Sequence, residues 1–166
     1  MNLQPVTFFS RPRAVLTVVL MAAAMLFLAA ADEAGAAPGK CFGKKVNRVV
    51  KGGKKVRLKY KDVTWVAARN VTVIGKPNSR ICAGAGRQVI YAGKGTSFTD
   101  AGPGNDRIVL HDRSVGSKAY GGLGNDEITG SRGHDKLYGS PKKVPAGAAD
   151  DDVIDGLGGN DRIYDY

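Results

Sequence analysis

The residues that most catalytic chemistry draws on are scarce here. The 166-residue chain has two histidines, two cysteines and one tryptophan. His111 and His134 are far apart in the sequence, and neither an HExxH nor a GxSxG motif is present, so zinc-peptidase chemistry and a nucleophile–base pair find no support. Cys41 and Cys82 form no CxxC, which argues against structural zinc. P-loop and dinucleotide fingerprints are also missing. Acids are outnumbered, 15 Asp plus Glu against 25 Lys plus Arg, for a net charge of +10. Aromatic residues are 7% of the chain. Trp65 and Tyr60 are too few for a base-stacking platform, and no recognised nucleic-acid motif accompanies them. These absences favour a binding or structural protein over an enzyme.

Glycine is abundant, and it is placed regularly. Ala101–Val109 (AGPGNDRIV), Gly121–Thr129 (GGLGNDEIT), Gly130–Tyr138 (GSRGHDKLY) and Gly156–Tyr164 (GLGGNDRIY) share one nine-residue template, with Gly fourth, Asp sixth and Ile or Leu eighth. Gly147–Asp155 keeps Asp152 and Ile154 in the same places. Upstream, Ile74–Cys82, Ala83–Tyr91 and Ala92–Asp100 run on without a gap into Ala101. The eighth-place column reads Ile81, Ile90, Thr99, Ile108, Ile128, Leu137, Ile154, Ile163. The sixth reads Ser79, Gln88, Ser97, Asp106, Asp126, Asp135, Asp152, Asp161. Leu110–Tyr120 and Gly139–Ala146 interrupt the register, as looped-out segments or as degenerate copies.

In each copy the last three residues suit a short strand with its central aliphatic turned inward. The first six suit a turn in which Gly supplies positive φ or room for a close neighbour. One copy cannot bury its own aliphatic; stacked copies can. Stacking brings the sixth-place carboxylates together. A hard divalent cation, with turn carbonyls completing an oxygen shell, resolves their repulsion. Asp150-Asp151-Asp152 also reads as a carboxylate cluster for hydrolysis, but its place in such a turn makes ion binding the simpler account.

These residues resemble the RTX, or hemolysin-type, calcium-binding repeat family, whose consensus is GGxGxDxUx with U a large aliphatic. The resemblance spans roughly residues 74–164 and is clearest from Ala101 onward. It implies an all-β, right-handed parallel β-roll, a β-solenoid, with Ca2+ held between turns by the sixth-place Asp and by turn carbonyls. Carried over by position, the implied ligands are Asp106, Asp126, Asp135, Asp152 and Asp161, with Gly121, Gly122 and Gly124 as the best-matched turn positions. Ser79, Gln88 and Ser97 depart from the pattern and put calcium in doubt at the first copies. Many members of that family leave the cell by a C-terminal signal, whereas this chain carries features of an N-terminal one.

Residues 1–36 read as that signal. Arg11 and Arg13 precede an apolar run, Ala14–Ala31, and small residues follow, so cleavage after Ala31 or after Ala36 is expected. The run is also of borderline length for a membrane anchor. With the signal removed, no membrane span is expected, and the protein is placed outside the cell as a monomer. There an even cysteine pair favours a Cys41–Cys82 disulfide, with two buried thiols as the alternative. The family resemblance strengthens the disulfide reading. The chain ends just after a repeat, at Tyr164-Asp165-Tyr166, as expected of a small complete secreted protein rather than a piece of a toxin or hydrolase.

Charge is divided along the chain. Pro38–Asp100 holds fifteen Lys plus Arg against two Asp, and Ala101–Tyr166 holds eight against eleven acids. Lys40–Lys61 contains ten basic residues and no acid. Residues 38–73 are expected to form a basic first coil that caps a roll built from residues 74–166. Lysines there suit a solvated face that blocks edge-to-edge pairing. Alternatively Lys54, Lys55, Arg57 and Lys59 form a patch for polyanions, such as acidic cell-wall or matrix polymers.

Overall fold

The computed structural model describes residues 40–59, 62–114, 116–148 and 150–166. All lie in the second of two compact units, Ala34–Tyr166. The expected signal segment, residues 1–36, lies outside the described residues, as do Tyr60 and Lys61.

Fifteen short strands and no helix form among the described residues. β1 (Lys40–Cys41) and β2 (Lys44–Lys45) make an antiparallel ribbon. From there the chain winds between two parallel sheets. One holds β3 (Arg48–Val50), β5 (Val63–Val66), β7 (Arg80–Ala83), β9 (Phe98–Asp100), β11 (Lys118–Tyr120), β13 (Lys136–Tyr138) and β15 (Arg162–Tyr164). The other holds β4 (Lys55–Arg57), β6 (Thr72–Ile74), β8 (Val89–Tyr91), β10 (Arg107–Val109), β12 (Glu127–Thr129) and β14 (Val153–Asp155). From β3 onward odd strands pair only with odd strands and even with even, which is the signature of a parallel β-solenoid in which each coil uses two copies of the repeat.

The eighth-place residues are the inward ones. In the even sheet Val56, Val73, Ile90, Ile108, Ile128 and Ile154 align as cross-strand partners. In the odd sheet the column runs Thr64, Ile81, Thr99, Ala119, Leu137, Ile163. Ile81, Ile90, Ile108, Ile128 and Leu137 are fully buried, each contributing about 1.5–3 kcal/mol. Burial fades in the last coil, where Ile163 is 49% exposed.

The two interruptions of the register resolve differently, the first as a degenerate copy and the second as a looped-out segment. Leu110–Tyr120 ends in β11, with Ser117 at the sixth-place position and the fully buried Ala119 at the eighth. Gly139 stacks on Gly121, since the Gly122 N–H donates to the Gly139 carbonyl, yet the strand that follows is β14. Residues 139–152 are therefore one turn enlarged by an insertion. The basic front joins the same ladders: β3 and β5 extend the odd sheet, and β4 and β6 extend the even one.

The Cys41–Cys82 disulfide is formed, with Cα atoms 5.9 Å apart and a sequence separation of 41. It fastens the β1–β2 ribbon to the odd sheet. In the chain-entropy account a loop of this length is worth about 4 kcal/mol. Phe42 follows the bridge and packs against Phe98 and Tyr120, with ring centroids 5.5 and 5.6 Å away. Tyr120, Tyr138 and Tyr164 then stack up the same face at 4.4 and 4.8 Å, about the spacing of adjacent strands.

Thr99 stands in the inward column where the repeat calls for an aliphatic. It is fully buried, and its hydroxyl has no partner. An unpaired buried hydroxyl carries its desolvation cost with no return. Thr99→Val keeps the shape and removes that group, so it should stabilise the fold by about 1–2 kcal/mol in denaturant unfolding. Unchanged or lower stability would show that the hydroxyl is satisfied.

Candidate metal centre

The two sheets are joined by turns on two flanks. The first flank holds turns 84–88, 101–106, 121–126 and 139–152, each leading from an odd strand to the next even one. The second holds turns 75–79, 92–97, 110–117, 130–135 and 156–161, leading from even to odd. From Asp106 on the first flank and Ser117 on the second, each turn ends in a sixth-place residue whose side chain meets the turn one coil earlier, whereas the Ser79 and Ser97 hydroxyls bond carbonyls of their own turns.

On the first flank these residues form a ladder. The Gln88 N–H donates to Asp106 Oδ1 at 2.6 Å, the Asp106 N–H to Asp126 Oδ1 at 2.7 Å, and the Asp126 N–H to Asp152 Oδ1 at 2.7 Å. On the second flank the Ser97 N–H donates to Ser117 Oγ at 3.1 Å, the Ser117 N–H to Asp135 Oδ1 at 3.2 Å, and the Asp135 N–H to Asp161 Oδ1 at 2.9 Å. The five aspartates expected to act together are therefore divided. Asp106, Asp126 and Asp152 share one flank, and Asp135 and Asp161 share the other. Consecutive copies never stack, because they lie on opposite sides of the coil.

A serine satisfies the N–H of its neighbour with a neutral oxygen. An aspartate does so with one oxygen and keeps a second, charged one. Asp106 and Asp126 are 3% and 2% exposed, and the Oδ2 atoms of both are buried without a hydrogen-bond partner. Burial pushes the Asp106 carboxyl up to about 7, opposed by the Gln88 N–H and reinforced by Asp100. Burial pushes Asp126 up to about 8, opposed by the Asp106 N–H and reinforced by the charges of Asp106, Asp152 and Asp150. Asp152 and Asp100 are raised as well, chiefly by burial.

The glycines leave room for this ladder. A Cβ on Gly121 would collide with Asp126 Oδ2, and a Cβ on Gly122 or Gly124 would collide with the carbonyls of Gly102 and Gly104 stacked beneath. Gly122 and Gly124 also have φ of 124° and 115°. These turns thus pack backbone carbonyls and carboxylates close together. Among the described residues no three Asp, Glu, His or Cys side chains converge on one point. A cation here draws much of its shell from turn carbonyls, the oxygen-rich donor set of Ca2+. The residues present fit that ion: unpartnered buried carboxylate oxygens, carbonyls close by, and no sulfur or imidazole.

Asp150 is a further member that its place in the repeat disguises. It holds the fourth position, where other copies have Gly. Its Oδ1 accepts the Gly124 N–H at 2.8 Å, and its Oδ2 is buried without a partner. Asp165, just past the last copy, lies beside Asp152, and both carboxylates face the single hydroxyl of Ser140, at 2.9 and 3.1 Å. The histidines are used locally. His134 Nδ1 accepts the Asn160 N–H at 2.8 Å, and His111 Nδ1 accepts the Arg113 N–H at 3.1 Å. Lys55 and Arg57 lie on β4, with Lys54 and Lys59 beside it. All four are exposed and lie far along the stack from the aspartate turns.

The model of the RTX calcium-binding nonapeptide repeat matches residues 119–141 and 146–164, in four copies. No curated protein and no solved structure matches the chain. The matched residues include the turns of Asp126, Asp135, Asp152 and Asp161 and the strands that follow them. Over these residues the chain is similar to RTX calcium-binding nonapeptide repeats, in keeping with the parallel solenoid and the stacked glycine turns.

Proposed function

We propose that this is a secreted calcium-binding β-roll protein, in which Ca2+ between the aspartate-bearing turns completes the fold after export. The buried, unpartnered Oδ2 atoms of Asp106 and Asp126 carry this reading. Asp106, Asp126 and Asp152, with turn carbonyls, are the residues that would hold the ion; Asp135 and Asp161 hold the same place in the repeat. The ion supplies positive charge where the chain has stacked negative charge. Such a site does not exist in the unfolded chain, so binding free energy becomes folding free energy. Where calcium is scarce, as inside a cell, the aspartate turns stay loose; where it is plentiful they order. The role is structural rather than catalytic, in keeping with histidines tied into turns.

Calcium titration followed by circular dichroism and calorimetry tests this. Saturable binding with a gain of β-structure is expected. A chain that binds no calcium, or whose spectrum is the same in chelator, would reject the proposal.

The raised carboxyls add a pH dependence. An unfolded Asp loses its proton near 3.9, whereas folded Asp106 and Asp126 keep theirs to about 7 and about 8. The ion-free fold therefore binds more protons than the unfolded chain in that window, and its stability falls as pH rises through it. Calcium displaces those protons. Its affinity should fall about tenfold per pH unit below about 7 for each proton displaced, as read by calorimetry in buffers of different ionisation enthalpy. Affinity independent of pH between 6 and 8 would contradict it.

A further inference from the structure

We infer that calcium is taken up on one flank only: on Asp106, Asp126, Asp150 and Asp152, and not at Asp135. This rests on the calcium reading above and narrows it, since Asp135 holds the same sixth place in a matched copy as Asp126 does. The two flanks differ in what their side chains already satisfy.

On the second flank the place of a cation is taken by protons. Asp135 is 1% exposed, but its Oδ2 accepts both the N–H and the hydroxyl of Ser131, at 2.8 and 2.7 Å. Ser131 stands where the consensus has its second glycine. Beside Asp135 the Ser131 hydroxyl also lies 3.5 Å from the Ser114 carbonyl, and turn carbonyls in earlier coils of this flank are engaged as well. The Ser79 hydroxyl donates to the Lys76 carbonyl at 2.7 Å, that of Ser97 to Gly93 at 2.9 Å, and that of Ser117 to Gly95 at 3.3 Å. Asp161 Oδ1 accepts the Asp135 N–H, and its side chain is only partly buried, open to solvent rather than enclosed.

On the first flank the opposite holds. The Oδ2 atoms of Asp106, Asp126 and Asp150 are buried and unpartnered. One hydroxyl, that of Ser140, faces two carboxylates and can donate its proton to only one. The flank is closed at its N-terminal side by Gln88. In the amide orientation that satisfies its neighbours, the Gln88 nitrogen lies 2.7 Å from Asp106 Oδ1, 2.8 Å from the Gly86 carbonyl and 3.3 Å from the Ala101 carbonyl. One carboxylate and two turn carbonyls surround an N–H donor there, the same oxygen types that would surround a cation one coil further on. Gln88 thus acts as a built-in substitute for the ion and marks where the calcium flank begins.

Calcium affinity and ion count on the full chain test this, with folding monitored by circular dichroism. Asp126→Asn, which preserves the Oδ1 acceptor, should weaken binding at least tenfold. Asp135→Asn should leave it within about twofold. Ser131→Gly, which frees Asp135 Oδ2 and restores the consensus glycine, should add an ion to the wild-type count; this gain remains readable if an aspartate variant fails to fold. Equal losses in Asp126→Asn and Asp135→Asn, or an unchanged ion count in Ser131→Gly, would overturn the one-flank inference while leaving calcium binding intact. Absence of calcium binding in the wild type would instead defeat the reading on which it rests.

Discussion

Buried carboxylates stacked one strand apart repel each other, and that repulsion has to be offset before the C-terminal coils can close. Each sixth-place aspartate does useful structural work with one oxygen, which holds the N–H of the coil before it. The other oxygen is the difficulty. Burial of its charge pushes the carboxyl toward neutrality, as at Asp106 and Asp126, or calls for a cation. The glycine turns, the carbonyls packed against them and the ladder of short strands all bear on how that one oxygen is accommodated.

A solenoid confines each coil's interactions to its neighbours, so stability is set locally. That allows two solutions in one chain. The N-terminal coils use covalent and hydrogen-bonded devices: the Cys41–Cys82 bridge, the Arg48–Asp62 ion pair at 3.2 Å, serine hydroxyls on turn carbonyls, and the Gln88 amide. None depends on an added ion. The C-terminal coils carry aspartate where Gln88 stands on the first flank and where serine stands on the second, and lean on the tyrosine stack outside the odd sheet. A pre-formed N-terminal half can therefore template coils whose completion follows the ion.

Much of this was legible in the sequence, because the eighth-place aliphatics mark the strand centres and the sixth-place residues mark the ladders. Other features were hidden for identifiable reasons. The alternation of flanks is invisible to a linear repeat, since neighbours in the chain are not neighbours in the stack. Leu110–Tyr120 escaped the pattern because Ser117 and Ala119 fill the places of Asp and a large aliphatic. Residues 139–152 escaped because an insertion separates the turn's start from its aspartates. The basic front enters the ladders through Val56, Thr64 and Val73 without the glycine and aspartate signals of later copies. Gln88 and Ser131 read as departures from a consensus; only their contacts reveal what they replace.

The central claim is that the first-flank carboxylates need a cation, and amide hydrogen exchange at the ladder reads it most directly. The N–H groups of Asp106 and Asp126 are bonded to the very carboxylates in question. With calcium replaced by a chelator, their protection should fall at least tenfold, while that of Ile81 and Ile90 in the N-terminal coils should hold. Equal protection of Asp106 and Asp126 in calcium and in chelator would mean that the ladder closes without an ion, and would contradict the account.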